Sequence, residues 1–280
     1  MLSRSLMIAA CSAAMSLGLI SAAMAIPATP ILEVPEPTIP PPPPPPPPPP
    51  IPGSMPVTLQ LTKFICHNAD EDSWYSNGDE PYLFVAAVYA DGNTIQIGNL
   101  SNATVRVQSP LKTHGNLGRS GVDAGDSFTI PTATGRFSRS ILPIGGLPTS
   151  QGKAFSMVGL VVIAMDEDGT STSAANAGRQ AFVNVLQAEL NQAVRSLTLP
   201  DEATLRAKIK AAMTKAIRQE TLSGIPDFFG VVDPDDYIGA QFSMWSYQQI
   251  ENAGSAGLPI DMTFQKSGVK YQITGTVKTP

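Results

Sequence analysis

The chain has 280 residues, 18 of them basic and 23 acidic, and its formal net charge at pH 7 is −5. An acidic chain without basic runs is not expected to bind nucleic acid, and its charge does not favour direct attraction to anionic lipid. The two cysteines are Cys11 and Cys66. Because Cys11 lies in an apolar leader, no intrachain disulfide is expected, and Cys66 is predicted to be a buried thiol at the end of a strand.

Residues 1–25 have the pattern of a secretory signal peptide: Arg4 supplies a positive charge, an apolar stretch follows, and residues 23–25 form an Ala-Met-Ala cleavage site. A lipoprotein signal ending at Cys11 is the alternative, but the apolar run before Cys11 is short and continues past it. No later apolar run approaches the roughly 20 residues of a membrane helix, so no transmembrane helix is expected after cleavage. The mature protein is therefore predicted to be secreted, periplasmic or at the cell surface.

Residues 26–56 are predicted to be a proline-rich linker, and its centre is an unbroken run from Pro40 to Pro50. Proline fixes φ and has no amide hydrogen, so the run adopts polyproline II. At about 3.1 Å per residue, it forms a semi-rigid rod of roughly 34 Å. Such a rod serves as a spacer, and the alternative is a ligand for a proline-recognition domain.

Residues 57–280 are predicted to form a mainly β domain, an antiparallel β-sandwich, because short apolar or alternating runs are separated by Gly, Asn, Asp and Pro. The first run places Val57, Leu59, Leu61 and Ile65 on one face. The predicted strands are 57–66, 82–89, 103–107, 127–130, 155–165 and 269–277. The runs at 82–89 and 155–165 are almost continuously apolar, which is typical of strands buried on both faces.

Two helical apolar stripes interrupt the β pattern at about residues 176–224. The first stripe consists of Phe182, Val185, Leu186, Leu190, Val194 and Leu197, and the second of Leu205, Ile209, Met213, Ile217 and Leu222. Asp201 and Glu202 stand where the first turn of the second helix favours negative charge. Two helices joined by a few residues form an αα-hairpin, which we expect to be inserted in a loop of the sandwich.

Three short segments, residues 70–80, 166–168 and 233–236, hold 11 of the 23 acidic residues, and each adjoins an apolar strand. If they meet at one end of the sandwich, each close pair of carboxylates costs roughly 4 kcal/mol at an effective dielectric constant of ~20. A bound cation would offset that repulsion, and oxygen ligands without sulfur or imidazole suit Ca²⁺ better than Mg²⁺. The alternative is that each segment is an ordinary solvated turn, since Asp, Asn, Gly and Ser favour turns.

Taken in chain order, the three segments resemble the Ca²⁺-binding loops of C2 domains. Residues 78–82, Gly-Asp-Glu-Pro-Tyr, precede an apolar strand, as a first-loop motif does in that family. Residues 166–168, Asp-Glu-Asp, follow a buried strand, and residues 236–239, Asp-Tyr-Ile-Gly, match the sequence that closes the third loop. The resemblance implies a C2-like antiparallel β-sandwich in which the αα-hairpin lies inside the third loop.

The resemblance also implies a set of Ca²⁺ ligands. It assigns Asp79, Asp166, Asp168 and Asp236, with Asp70 or Asp72 added from the first loop. Together with Asp235 of the third segment, the expected metal ligands are Asp70, Asp72, Asp79, Asp166, Asp168, Asp235 and Asp236. Glu80 is an additional residue relative to the family pattern.

The sequence favours a non-catalytic protein. Its two histidines, His67 and His114, lie far apart, and neither H-E-x-x-H nor G-x-S-x-G occurs. A glycosidase with paired carboxylates is disfavoured, because aromatic residues, which stack on sugars, make up only 6% of the chain.

Two functions follow from these features. The first is a Ca²⁺-binding module that engages an unknown ligand, a lipid, a glycan or another protein, through its acidic loops. Trp74 and Tyr75, in the first acidic loop, are candidate apolar contacts for such a ligand. The alternative is a structural or adhesive envelope protein displayed on the polyproline stalk, in which an ion does no more than stabilise the sandwich.

Deletion of residues 26–54 is expected to leave the folded domain intact, because a proline-rich segment of this kind does not build a hydrophobic core. The melting temperature of the truncated protein, measured by circular dichroism, should lie close to that of the mature chain. A large loss of thermal stability would contradict the assignment of this segment as a linker.

Overall fold

The structure, a computed structural model, describes residues 53–69, 78–119, 121–167, 170–198, 200–223 and 236–280, and of residues 222, 223 and 236 only the backbone. The predicted signal peptide and most of the linker lie outside these residues. The strands are β1 (Met55–Asn68), β2 (Pro81–Ala90), β3 (Arg106–Gln108), β4 (Ser127–Thr129), β5 (Arg136–Ile141), β6 (Met157–Asp166), β7 (Asp236–Ser246), β8 (Leu258–Lys266) and β9 (Val269–Lys278). The helices are α1 (Thr132–Gly135), α2 (Thr149–Phe155), α3 (Thr172–Ser196), α4 (Glu202–Ser223) and α5 (Tyr247–Ala253), with 3₁₀ turns at Ile97–Asn102 and Gly254–Ala256.

The strands form two antiparallel sheets that pack face to face, which agrees with the predicted β-sandwich. The first sheet has the order β4-β1-β9-β8, and β5 also pairs with β1. The second sheet has the order β3-β2-β6-β7. β5 pairs with the first half of β1 and β4 with its second half, so both lie along the same edge of β1. Apolar side chains from the two inner faces form one continuous core.

Two predicted bounds differ from those of the structure. β1 begins at Met55, which is 6% exposed, so the last two residues assigned to the linker belong to the first strand. The strand predicted to start at residue 155 begins instead at Met157. Phe155 is the last residue of α2 and is 62% exposed, because the helix ends there before the chain turns into β6.

The first strand changes face near its middle. Residues up to Leu61 alternate into the core as predicted, but beyond it the core residues are Phe64 and Cys66. The register of β1 against β9 shifts between Leu61 and Lys63, which marks a β-bulge. One extra residue reverses the alternation, so the prediction that Ile65 faces the core is wrong, and Ile65 is only half-buried. The bulge places the Cys66 side chain inside the sandwich, where a buried thiol was predicted.

The second sheet is covered on both faces. β2 and β6 bury residues that point in both directions along nearly their whole length. One set belongs to the core between the sheets, and the other packs under α3 and α4. These two helices follow β6 and precede β7 in the chain, and they pack against each other. The nearly continuous apolar character of β2 and β6 is therefore explained by a helical layer on the outer face of their sheet.

Both long helices have defined first turns. α3 begins after Ser171, whose Oγ accepts a hydrogen bond from the Ala174 N–H at 3.2 Å. α4 begins after Asp201, whose carboxylate accepts one from the Thr204 N–H at 2.8 Å, in agreement with its assignment to the helix start. Leu197 does not belong to the buried stripe of α3, because the helix ends at Ser196. The backbone of Leu197 has the left-handed conformation (φ 52°), and its side chain is 71% exposed. Within the described residues, no helix combines the length and the apolar character that crossing a bilayer requires.

Replacing Phe182 by Ala is expected to lower the free energy of unfolding by about 3–5 kcal/mol, because its ring is fully buried under the helices and stacks on Phe84 at a centroid distance of 6.5 Å. Leu197→Ala, at the exposed end of the same helix, is the matched control and should change it by no more than about 0.5 kcal/mol. Urea unfolding measures both. Equal effects of the two variants would contradict the packing of α3 on the sheet.

Candidate functional site

The pairing of three neighbouring strands brings distant acidic residues to one end of the second sheet. In the register of the sheet, Asp166 at the end of β6 lies opposite Pro81 on β2 and opposite Asp236 on β7. Asp79 stands two residues before Pro81. The backbone positions of Asp79, Asp166 and Asp236 therefore lie at the same end of the sheet. The other expected ligands, Asp70, Asp72, Asp168 and Asp235, lie outside the described residues, as do Trp74 and Tyr75.

Asp79 is held in place by a short antiparallel bridge. Its N–H donates to the Val122 carbonyl at 3.2 Å, and its carbonyl accepts from the Val122 N–H at 2.8 Å. Gly78 has φ +90°, which side chains disfavour, and a Cβ there would lie 2.9 Å from Oδ1 of Asp123. Glycine at position 78 thus allows Asp79 to approach the turn at residues 123–126 closely.

A buried hydrogen bond fixes the side chain of Asp79. The Tyr271 hydroxyl donates to Asp79 Oδ2 at 2.6 Å, and the aspartate is only 4% exposed. Because Tyr271 is on β9 of the first sheet and Asp79 leads into β2 of the second, this bond connects the two sheets. Burial raises the pKa of the Tyr271 phenol, and the charge of Asp166 and the bond to Asp79 raise it further. The phenol therefore stays protonated and remains a hydrogen-bond donor.

Two further carboxylates, which the sequence pattern did not single out, border the same end. They belong to the turn from Asp123 to Asp126, which is tied to the end of β1. The Cys66 N–H donates to the Asp126 carbonyl at 2.9 Å, and the Gly125 N–H donates to the Cys66 carbonyl at 2.8 Å. Burial, with the neighbouring charge of Asp79 and of this turn, raises the pKa of the Cys66 thiol to about 12. The thiol is therefore protonated at neutral pH and is not a nucleophile.

The acidic residues at the end of β6 are bonded to protein groups. The Glu80 N–H donates to Asp166 Oδ1 at 2.8 Å, and the Glu167 N–H donates to the Glu80 carbonyl at 3.2 Å. Oε1 of Glu167 lies 3.2 Å from Nδ1 of His114. The His114 ring packs edge-on against Tyr82 at a centroid distance of 4.8 Å. Backbone N–H groups and the His114 ring thus provide these carboxylates with partners inside the protein.

We call this cluster the acidic rim and define it as Asp79, Asp123, Asp126, Asp166, Glu167 and the backbone position of Asp236. It gathers acidic residues from four separate segments at one end of the sandwich. Carboxylate oxygens are the ligands that Ca²⁺ prefers. Among the residues that the structure describes, no three His, Cys, Asp or Glu side chains are close enough together to hold a metal ion by themselves.

The positions that match the C2 sequence pattern differ in their environments. Asp79 is buried, whereas the additional Glu80 is exposed. Ile238, from the segment that matches the end of the third loop, packs in the core between the sheets. Comparison of the chain with protein-family models, with curated proteins and with solved structures finds no match.

Tyr271→Phe removes only the hydroxyl and is expected to lower the free energy of unfolding at pH 7 by about 1.5–3 kcal/mol, since the hydroxyl donates to a buried carboxylate. The variant should also flatten the loss of stability at alkaline pH. The pKa of the Tyr271 phenol is raised in the folded protein. Its contribution to the free energy of unfolding is therefore complete below the pKa of an unfolded tyrosine, about 10, and declines as the pH rises above that value. Urea unfolding between pH 7 and 11 measures both effects.

Tyr247→Phe is the matched control, because the Tyr247 hydroxyl donates to the neutral carbonyl of Gly53 at 3.1 Å. A net loss of about 0.5–1.5 kcal/mol is expected there. If Tyr271→Phe costs no more than this control, the bond to Asp79 is not a principal connection between the sheets.

Proposed function

We propose that the protein is a non-catalytic Ca²⁺-binding module with a C2-like sandwich, acting outside the cytoplasm, and that it engages a lipid, glycan or protein through its acidic end. The single observation that carries this proposal is the register of the second sheet. That register places Asp166 opposite Asp236 and close to the Asp79 segment. Acidic residues whose backbones are brought to one end of a sheet from distant parts of the chain are a common basis for cation binding.

Electrostatics supports an ion at this end. Carboxylates at close range repel one another by roughly 4 kcal/mol per pair at an effective dielectric constant of ~20. The acidic rim gathers acidic residues from four segments at one end of the sandwich. Along the chain, Asp168 lies two residues after Asp166, and Asp235 directly precedes Asp236. A divalent cation is the simplest counter-charge for such a set, and the oxygen ligands favour Ca²⁺.

The hydrogen bonds of the rim are compatible with a bound ion. A carboxylate has about four lone-pair sites, so an oxygen that accepts from the Glu80 N–H leaves Asp166 able to coordinate a cation as well. The same holds for Asp79 and its bond from Tyr271. Outside the cell, where Ca²⁺ is abundant, a dissociation constant of about 10⁻⁴–10⁻³ M is sufficient.

One specific observation favours the alternative, a structural or adhesive envelope protein displayed on the polyproline stalk. Asp79, Asp166 and Glu167 each have a partner within the protein, namely Tyr271, the Glu80 N–H and His114. These partners reduce the need for an ion. In this alternative, Ca²⁺ stabilises the sandwich without mediating any contact with a ligand.

Calorimetry with Ca²⁺ and with a chelator tests the proposal. At Ca²⁺ ten times above the dissociation constant, binding stabilises the folded state by about 1.4 kcal/mol. For a domain of this size, the melting temperature should rise by about 3–6 °C. Asp166→Asn combined with Asp168→Asn should abolish the rise, since asparagine keeps an oxygen acceptor for the Glu80 N–H but removes the charge. Equal melting curves of the parent protein in both conditions would contradict Ca²⁺ binding.

Asp201→Asn combined with Asp261→Asn is the matched control. It removes the same charge away from the rim, asparagine is an equally good helix cap at position 201, and it still accepts the bond from Gln272 at position 261. The control should keep the full Ca²⁺ response. Binding of vesicles or glycans that requires Ca²⁺ would support the ligand-binding module, whereas a Ca²⁺ response without any such binding would support the structural alternative.

A further inference from the structure

A second site lies away from the acidic rim, in an open groove of about 670 Å³ beside β3. Its volume is within the range of small-molecule sites. β3 is an edge strand of the second sheet, and β5 pairs along one side of β1 in the first sheet. The groove is lined by Tyr89, residues 104–109, Arg139, Gln187 and Asn191, which come from β2, the β3 segment, β5 and α3.

The position of Arg139 is unusual for a charged residue. Side chains alternate along a strand, and on β5 Arg139 shares the core-facing side with Phe137 and Ile141, both buried. Its guanidinium carbon lies 5.6 Å from the centroid of the Tyr89 ring, in a cation–π contact. An arginine directed toward the interior is rarely kept without a partner for its donors.

Three buried polar atoms in this region have no hydrogen-bond partner within the described part of the chain. They are Nε of Arg139, the hydroxyl of Tyr89 and Oδ2 of Asp91. Tyr89 is 1% exposed, so its hydroxyl is withdrawn from bulk solvent and still has no partner there. An unsatisfied buried donor costs about 1–3 kcal/mol. Two donors left unsatisfied on the wall of a groove indicate that an acceptor from outside the protein completes them.

The charges define that acceptor. Arg106 and Arg139 are the charged residues that line the groove. Burial raises the pKa of the nearby Asp91 carboxyl, and the positive charges of the two arginines offset part of that rise. Two guanidinium groups beside one carboxylate leave one positive charge in excess. Guanidinium groups bind the oxygen pairs of carboxylates and phosphates through parallel hydrogen bonds.

The wall of the groove is held in a fixed shape. The Gln187 amide donates to the Val105 carbonyl. It also donates to Asn191 Oδ1 at 2.9 Å. Asn191 Oδ1 also accepts from the Val105 N–H at 2.7 Å. α3 thereby fixes the backbone beside Arg106 before any ligand arrives, and such preorganisation reduces the cost of binding.

We propose that this groove binds the oxyanion of a small polar ligand, a carboxylate or a phosphate, through Arg139, Arg106 and the hydroxyl of Tyr89. The polar side chains of Gln108 and Ser109 line the same groove and offer hydrogen bonds to the remainder of the ligand. This site is independent of the acidic rim and of the Ca²⁺ proposal.

Isothermal titration calorimetry of the folded protein with sodium galacturonate, inorganic phosphate and neutral galactose, at constant ionic strength, tests this assignment. Saturable binding of galacturonate or phosphate is expected, and galactose should bind far more weakly. Arg139→Gln should weaken binding about tenfold or more, because it removes a charge-assisted pair of hydrogen bonds. Galacturonate binding alone identifies a carboxylate site, and phosphate binding alone identifies a phosphate site.

Arg136→Gln is the matched control, since Arg136 is exposed on the same strand and does not line the groove; it should leave the affinity unchanged within about twofold. Tyr89→Phe and Arg106→Gln should each weaken binding several-fold, and they carry the test if Arg139→Gln does not fold. No binding of either anion at millimolar concentration overturns the proposal. Equal binding of galactose, or an affinity unaffected by these three variants, also overturns it.

Discussion

The antiparallel register of β2, β6 and β7 is the constraint on which the acidic end of the molecule depends. Because β6 pairs with both neighbours, the position of Asp166 at its end sets which residues of the adjacent strands lie beside it. A shift of one residue would move each side chain of these strands from one core to the other, so the packing of the two cores fixes the register. The arrangement of the carboxylates is thus a consequence of hydrophobic packing elsewhere in the sandwich.

The rim combines charge with rigidity. The Tyr271–Asp79 bond connects the sheets from inside, and Gly78 allows the 123–126 turn to approach from the other side. Cys66 lies between these elements as a protonated thiol, since burial and nearby carboxylates raise its pKa to about 12. These contacts between protein groups hold the rim in place without an ion.

The sequence predicted the elements that have long apolar runs, and it predicted less well where polar residues alternate with buried ones. β2, β6 and the stripe of α4 were recognised because two-sided burial and helical spacing leave strong patterns. β5 was not recognised, because Arg139 stands between its two buried apolar residues. Ile65 was misplaced because a β-bulge leaves no trace in the alternation that precedes it.

The acidic rim and the groove beside β3 were likewise predicted only in part, or not at all, from the sequence. Acidic composition identified Asp79, Asp166 and Asp236 as candidates, but only strand pairing shows that their backbones lie at one end. Asp123 and Asp126 were not selected, since turn chemistry accounts for them within the sequence. The groove could not be predicted at all, because the contact of Arg139 with Tyr89 joins strands of different sheets.

A crystal structure of the mature protein grown in millimolar Ca²⁺ tests most directly whether the acidic rim binds an ion. If Ca²⁺ binds there, the density shows an ion at the acidic rim, about 2.3–2.6 Å from carboxylate oxygens of at least two of the segments 70–80, 166–168 and 233–236. A rim without an ion, in which the same carboxylates are bonded only to protein groups and water, would contradict Ca²⁺ binding.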